Sequence, residues 1–118
     1  MDHNDLPAIL ADHALWLEDW STGKRANFSD AYLGDADFSQ TVLRSAIFRR
    51  AKLNGANFTD ADLRFVDFKH ANLRSAGLSY SNLRGADFRG ANLRYADLQY
   101  ADLRDASFED SSFDDTIA

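Results

Sequence analysis

Three histidines, His3, His13 and His70, are the side chains of this 118-residue chain whose ordinary pKa lies near neutrality. No two of them stand at metal-ligand spacing. His70 has Asp67 and Ser75 nearby in sequence, the ingredients of a Ser-His-Asp relay. Serine and aspartate recur throughout the chain, however, so that spacing selects nothing. The absence of cysteine removes a thiolate nucleophile, a thiolate zinc site and a disulfide framework. Glycines are scattered singly and form no phosphate cradle. The carboxylates recur at polar positions of a repeat and do not pair in a cleft. The sequence therefore offers no catalytic, cofactor-binding or metal site, and enzyme activity is not expected.

The charge balance narrows the field further. Nineteen Asp and Glu against thirteen Lys and Arg give a formal net charge of −6. That disfavours a general nucleic-acid binder, which needs a positive surface. Met1-Asp2-His3-Asn4-Asp5 lacks the basic-then-apolar layout of a secretory signal. No apolar run has the length of a membrane span. The expectation is a soluble, cytoplasmic protein without membrane contact.

A five-residue unit, Ala-(Asp/Asn)-(Leu/Phe)-x-x, runs unbroken from Ala26. Its central residue is Leu or Phe in all eighteen complete units. The first position is Ala in fourteen, the exceptions being Thr41, Val66, Ser81 and Ser111. The second is Asp or Asn in eleven. A five-residue period would spiral the apolar positions around an α-helix and would alternate them between the two faces of a continuous strand. It is satisfied if the chain bends once per unit. Ala and the Leu or Phe two residues later then face a common interior, and Asp or Asn serves the bend. The result is a solenoid of short strands and turns. Disorder is the alternative, but it does not require an unbroken apolar position.

The units Ala61-Asp62-Leu63-Arg64-Phe65, Ala71-Asn72-Leu73-Arg74-Ser75 and Ala91-Asn92-Leu93-Arg94-Tyr95 resemble the pentapeptide repeat family. The resemblance covers residues 26–118. It implies an all-β fold, a right-handed quadrilateral β-helix with four units per coil and about 4.5 coils. The sequence supports four sides independently, because Phe28, Phe48, Phe68, Phe88 and Phe108 then fall in one column.

A solenoid needs its apolar ends covered. Residues 1–25 read as an N-terminal α-helical cap and lead-in, and residues 26–118 as the repeat β-helix. Leu6, Ile9, Leu10, His13, Trp16, Leu17 and Trp20 form one helical stripe, so a capping helix is expected at about residues 5–21. Asp5 is the expected N-cap and Gly23 the terminator. On this reading His13 is packed or hydrogen-bonded, and Trp16 and Trp20 cover the first coil. At the other end, Leu98, Leu103, Phe108 and Phe113 would meet water. The resemblance has precedent for C-terminal homodimers, so a homodimer through this end is one expectation. The other is an end guarded by Glu109, Asp110, Asp114 and Asp115.

Four-sided register stacks Arg44, Arg64, Arg84 and Arg104 in one column. Arg49, Lys69 and Arg89 lie on the next side, Tyr80 and Tyr100 one coil apart, and Phe65 faces outward. Of these, Arg44, Arg64, Arg84, Arg104, Tyr80, Tyr100 and Phe65 form the candidate interaction surface. The expected function is a non-enzymatic protein-interaction or structural module whose partner the sequence does not name. The alternative, implied by the resemblance, is a DNA-mimicking gyrase binder of the quinolone-resistance type. Duplex DNA carries one charge per ~1.7 Å, so a rod about 22 Å tall would need on the order of 13 net negatives. The repeat carries fourteen acids and eleven bases. Residues 44–104 hold eleven bases against six acids, a basic belt between acidic ends.

Overall fold

Small and large apolar side chains two residues apart, followed by a bend, close the chain on itself every twenty residues. In the computed structural model, which describes residues 5–118, residue n forms a parallel bridge with residue n+20 fifteen times, from Asn27 with Ile47 to Asp97 with Ile117. Four units therefore make one coil: 26–45, 46–65, 66–85 and 86–105, with a partial coil from 106. The expected short strands are reduced to isolated one-residue bridges, always at the second position of the unit. The turn takes the other residues, which leaves no length for a longer strand.

Within the rod, units whose second residue is Asp or Asn direct their backbone N–H groups in a fixed way. Using the unit at Ala26, the centre N–H of Phe28 donates to Ile47 O of the next coil (2.7 Å), and the Asp30 N–H donates to Arg49 O (3.0 Å). The Ala31 N–H closes the turn onto Phe28 O (3.0 Å). One coil on, the Ile47 N–H returns to Ala26 O (3.0 Å). The fourth-position N–H of Ser29 has no backbone acceptor and instead meets Asn27 Oδ1 at 3.0 Å. All eleven Asp and Asn of the second position accept in this way. That is why the unit prefers them there: a short side-chain acceptor satisfies an amide two residues on.

The corner also dictates backbone conformation. The fifth residue of every complete unit has positive φ, including fifteen that are not glycine, such as Asp30 (62°), Phe65 (59°) and Tyr100 (63°). A left-handed residue at the third place of a turn bends the chain onto the next side, and it costs a non-glycine residue about 1–2 kcal/mol. The interchain-like stacking of coils must offset that cost at each corner. Gly85 and Gly90 serve a second need. A Cβ on Gly85 would lie 2.6 Å from the Phe65 ring, and one on Gly90 2.4 Å from His70 Nδ1. Absence of a side chain there makes room for the corner residue of the coil before.

The interior is a column of rings and branched chains. Phe28, Phe48, Phe68, Phe88 and Phe108 stack with centroids 4.8, 5.3, 5.2 and 5.0 Å apart. Phe38 and Phe58 form a second stack at 5.0 Å and meet the first edge to face. Offset and edge-to-face pairs suit the ring quadrupole. Beside them the first-position side chains are buried from Ala26 to Ala96, apart from the partly buried Thr41, and none is larger than Val66. Where Ala is replaced by Thr41, Ser81 or Ser111, the hydroxyl donates to the carbonyl three residues back, so a polar group is buried without loss.

Helix α1, Leu6–Glu18, lies across the first coil. Pro7 sits in its first turn, where the missing N–H is harmless. The helix is shorter than expected. Asp5 already has helical angles (φ −84°, ψ −11°) and makes no side-chain capping bond, and Asp19 ends the helix with extended angles. Gly23 (φ 62°) makes the later bend into the repeat. Among the described residues no helix is long and apolar enough to cross a membrane.

Position in the ring stack decides how much a phenylalanine matters. Phe68→Ala opens a cavity between two covered rings and should lower stability by ~3–5 kcal/mol. Phe113→Ala, at a ring already 44% exposed, should cost about 1 kcal/mol. Chemical denaturation of the two variants checks the order.

Candidate interaction surface

The residues expected to cap the rod fall into two groups. Leu6, Ile9 and Leu10 are partly buried against the solenoid interior, and His13 is fully buried. Trp16 and Leu17 are half-buried. Trp20 departs from the expectation. It lies beyond the helix end and is 77% exposed. The chain leaves helical conformation at Asp19, which swings Trp20 off the apolar stripe. There it stacks on Trp16 at 5.7 Å.

His13 uses both ring nitrogens. Nδ1 accepts the Ala26 N–H and Nε2–H donates to Arg44 O, each at 2.9 Å. Burial lowers its pKa, and Arg25 and Arg44 reinforce the shift against the opposing backbone bond. His70 is instead a corner residue whose ring occupies the space above Gly90. His3 lies outside the described residues. Among the described residues no three metal-ligating side chains cluster.

Arg44, Arg64, Arg84 and Arg104 share one side, at equivalent places in the units bridged through Val42, Asp62, Asn82 and Asp102. The ladder is not uniformly free. Asp62 holds both Arg64, by two hydrogen bonds of 2.9 and 2.8 Å, and Arg44, at 3.4 Å. Partial burial pushes the Asp62 carboxyl up, but the bonds from Arg64 and the charge of Arg44 outweigh it and leave its pKa low. Arg104 grips Asp102 and brings its pKa down to about 2. Arg84 forms no salt bridge among the described residues, because its own unit carries Asn82 in place of an acid. On the adjoining side Arg49 and Arg89 pair with Asp67 and Asp87, while Lys69 forms no salt bridge among the described residues.

Phe65 stands at the corner between these two sides and is 64% exposed. With Trp16, Leu17, Trp20, Arg44 and Ser45 it lines a cleft of about 250 Å³ between the helix end and the rod. The fold thus brings together Arg44, Phe65 and three cap residues that are distant in sequence. Tyr80 and Tyr100 stack at 5.0 Å on a different corner, exposed and away from that cleft. Arg74 lies over the Tyr95 ring at 4.5 Å, a pair that no local spacing joins. Only twenty-residue register makes them neighbours.

At the C-terminal end, Leu98 is covered and does not meet water as expected. It is 3% exposed, because Ile117 bridges Asp97 and its carbonyl accepts the Leu98 N–H at 2.6 Å. Leu103 and Phe108 are partly buried and Phe113 is exposed. The N–H groups of Leu103, Phe108 and Phe113 have no backbone acceptor among the described residues.

Asp62 tests the link between the arginine column and the turn. Asp62→Ala removes the acceptor for the Arg64 N–H as well as both ion pairs, and should cost ~1–2 kcal/mol. Asp62→Asn keeps the acceptor and should recover most of the loss. Melting temperatures in low salt check both.

The model of pentapeptide repeats matches in eight copies, over residues 24–60, 48–79 and 71–110. No curated protein matches the sequence. Among solved structures, a pentapeptide repeat protein of the Arabidopsis thaliana thylakoid lumen is 35% identical with a TM-score of 0.50, over 77% of this chain and 57% of its own. Rfr23 of the cyanobacterium Cyanothece 51142 is 31% identical with a TM-score of 0.58, over 79% and 60%. The chain thus spans less than two thirds of either protein. QnrB1, a plasmid-mediated fluoroquinolone resistance protein, is 24% identical over 81% of this chain and 68% of its own, with a TM-score of 0.38, too distant to lend its role.

Proposed function

The chain belongs to the pentapeptide repeat family, and from that premise we propose that it is a non-enzymatic interaction module that engages an acidic protein surface through its basic belt. Family membership implies the right-handed sense of the coils. The observation that carries the reading is the corner at Phe65: an exposed ring and the aromatic cleft beside it, flanked by two basic columns. Arg84 and Lys69 leave positive charge unpaired on both flanks among the described residues. Exposed aromatics with arginine are the composition of interface centres. A rigid rod loses little conformational entropy on binding, so modest contacts suffice.

The sign of the belt opposes mimicry of duplex DNA. A mimic needs a continuous negative surface, whereas residues 44–104 hold eleven bases and six acids. The expected outcome of a gyrase supercoiling assay with micromolar protein is no inhibition.

Affinity capture on the immobilised full chain tests the main reading. Partner recovery should fall steeply as salt is raised, because screening shortens the reach of surface charge. The double variant Lys69→Glu/Arg84→Glu should lose it, and neither residue holds a salt bridge whose loss would disturb the fold. Equal recovery by variant and parent would overturn the proposal.

A further inference from the structure

Helix α1 is held to the rod mainly by partly buried side chains, Trp16 and Leu17 among them. Its apolar anchors Leu6, Ile9 and Leu10 are only partly buried, and His13 is the one fully buried residue of the helix. A helix of thirteen residues is marginal by itself in water. Its attachment therefore depends heavily on what His13 does.

The imidazole stands where the repeat has run out of partners. In the body of the rod a first-position N–H closes onto the centre carbonyl of the unit before, as Ala31 does onto Phe28. Ala26 has no such unit, and His13 Nδ1 takes its proton. Likewise Arg64 O and Arg84 O each accept an N–H from the coil before, from Ser45 and Phe65. Arg44 O lies on the first coil, and His13 Nε2–H supplies the missing donor. One side chain thus stands in for the preceding coil in both senses, as acceptor and as donor.

Only neutral imidazole can do this, since it carries one donor and one acceptor. Protonation would set two N–H groups against each other across the 2.9 Å contact with Ala26. The charged surroundings add to the conflict. Arg25 of the lead-in and Arg44 of the first coil both act against a positive ring. Asp12 of α1 and Lys24 line the neighbouring cleft with Arg25, and Asp62 of the second coil holds Arg44 at 3.4 Å, giving two carboxylates against three cations.

We propose that His13 is a proton-operated latch: mild acidification detaches α1 from the first coil while the rod beneath it stays folded. This inference is independent of the belt's proposed partner. The direction follows from linkage. Burial first, then Arg25 and Arg44, hold the His13 pKa below its ordinary value in the folded chain. Its contribution to attachment is therefore complete above about pH 6.5 and is lost as pH falls below that towards the folded value. The arginine partners lower the pKa of Asp102 on the rod to about 2 and hold those of Asp62 and Asp87 below the ordinary carboxylate value. The two events are separated in pH.

Hydrogen–deuterium exchange on the full chain, corrected for intrinsic rates, tests the latch between pH 7.5 and 5. Amides of α1 and of Ala26 should lose protection by about tenfold or more through this range, while those of residues 46–98 keep theirs. His13→Gln should make α1 exchange independent of pH, whether the helix is held or loose. Nitrogen NMR of the parent's imidazole supplies a readout that needs no variant. It should show the Nε2–H form and a midpoint below about 6.5 that coincides with the loss of α1 protection. A midpoint at or above that value, constant α1 protection, loss in step with the repeats, or an unchanged pH dependence in His13→Gln would each overturn the proposal.

Discussion

Pairing of the backbone N–H groups between coils is the constraint on which the rest of this structure depends. Within the rod the amides of a five-residue unit go to the next coil, the coil before and the turn, and in eleven units also to the Asp or Asn side chain of the same unit. That scheme closes only if four units make a coil, since every interstrand bond spans nineteen or twenty-one residues. The left-handed fifth residue, the small first residue and the large apolar third residue are all consequences. Each corner carries strain, and the ladder of bonds and stacked rings holds it in place.

An architecture closed in this way has its weak points at the ends, where the scheme lacks a neighbour. The two ends are treated differently. At the first coil a helix and one histidine replace the missing groups, so the solution is a specific hydrogen-bonding arrangement. At the last coil the N–H groups of Leu103, Phe108 and Phe113 face outward among five acidic residues between 105 and 118. The first end thus depends on the proton state of one imidazole.

The surface follows from the same geometry. Fourth-position side chains repeat at the spacing of the coils, so arginines twenty residues apart become neighbours. Close like charges are unfavourable, and Asp62, Asp67, Asp87 and Asp102 relieve the repulsion by holding arginines within a unit or across coils. Where the second position is Asn, as at residue 82, the turn bond survives but the charge does not, and Arg84 is left as net positive surface. A single exchange of Asp for Asn therefore leaves the fold unchanged and alters what the rod presents to a partner.

The repeat by itself determined the period, the four sides, the inward Ala and Leu or Phe, and the column of Phe28 to Phe108, because local spacing alone decides which side chains share an interior. It also showed that Asp and Asn belong to the bend. It did not show that the fifth residue is left-handed, since Arg50, Phe65 and Tyr95 carry no local preference for that conformation and accept it only under the coil-to-coil bonds. The limits of α1 do not follow its apolar stripe for a related reason: the stripe continues to Trp20, but the chain leaves helical angles at Asp19. Tertiary structure alone decided the double role of His13, the covering of Leu98 by Ile117, and the meeting of Trp20, Arg44 and Phe65 at one cleft. These contacts join residues whose separation does not follow the repeat, at the places where it begins or stops. Periodicity determines what every coil has in common, and only the folded chain determines what fills the positions where a coil is missing.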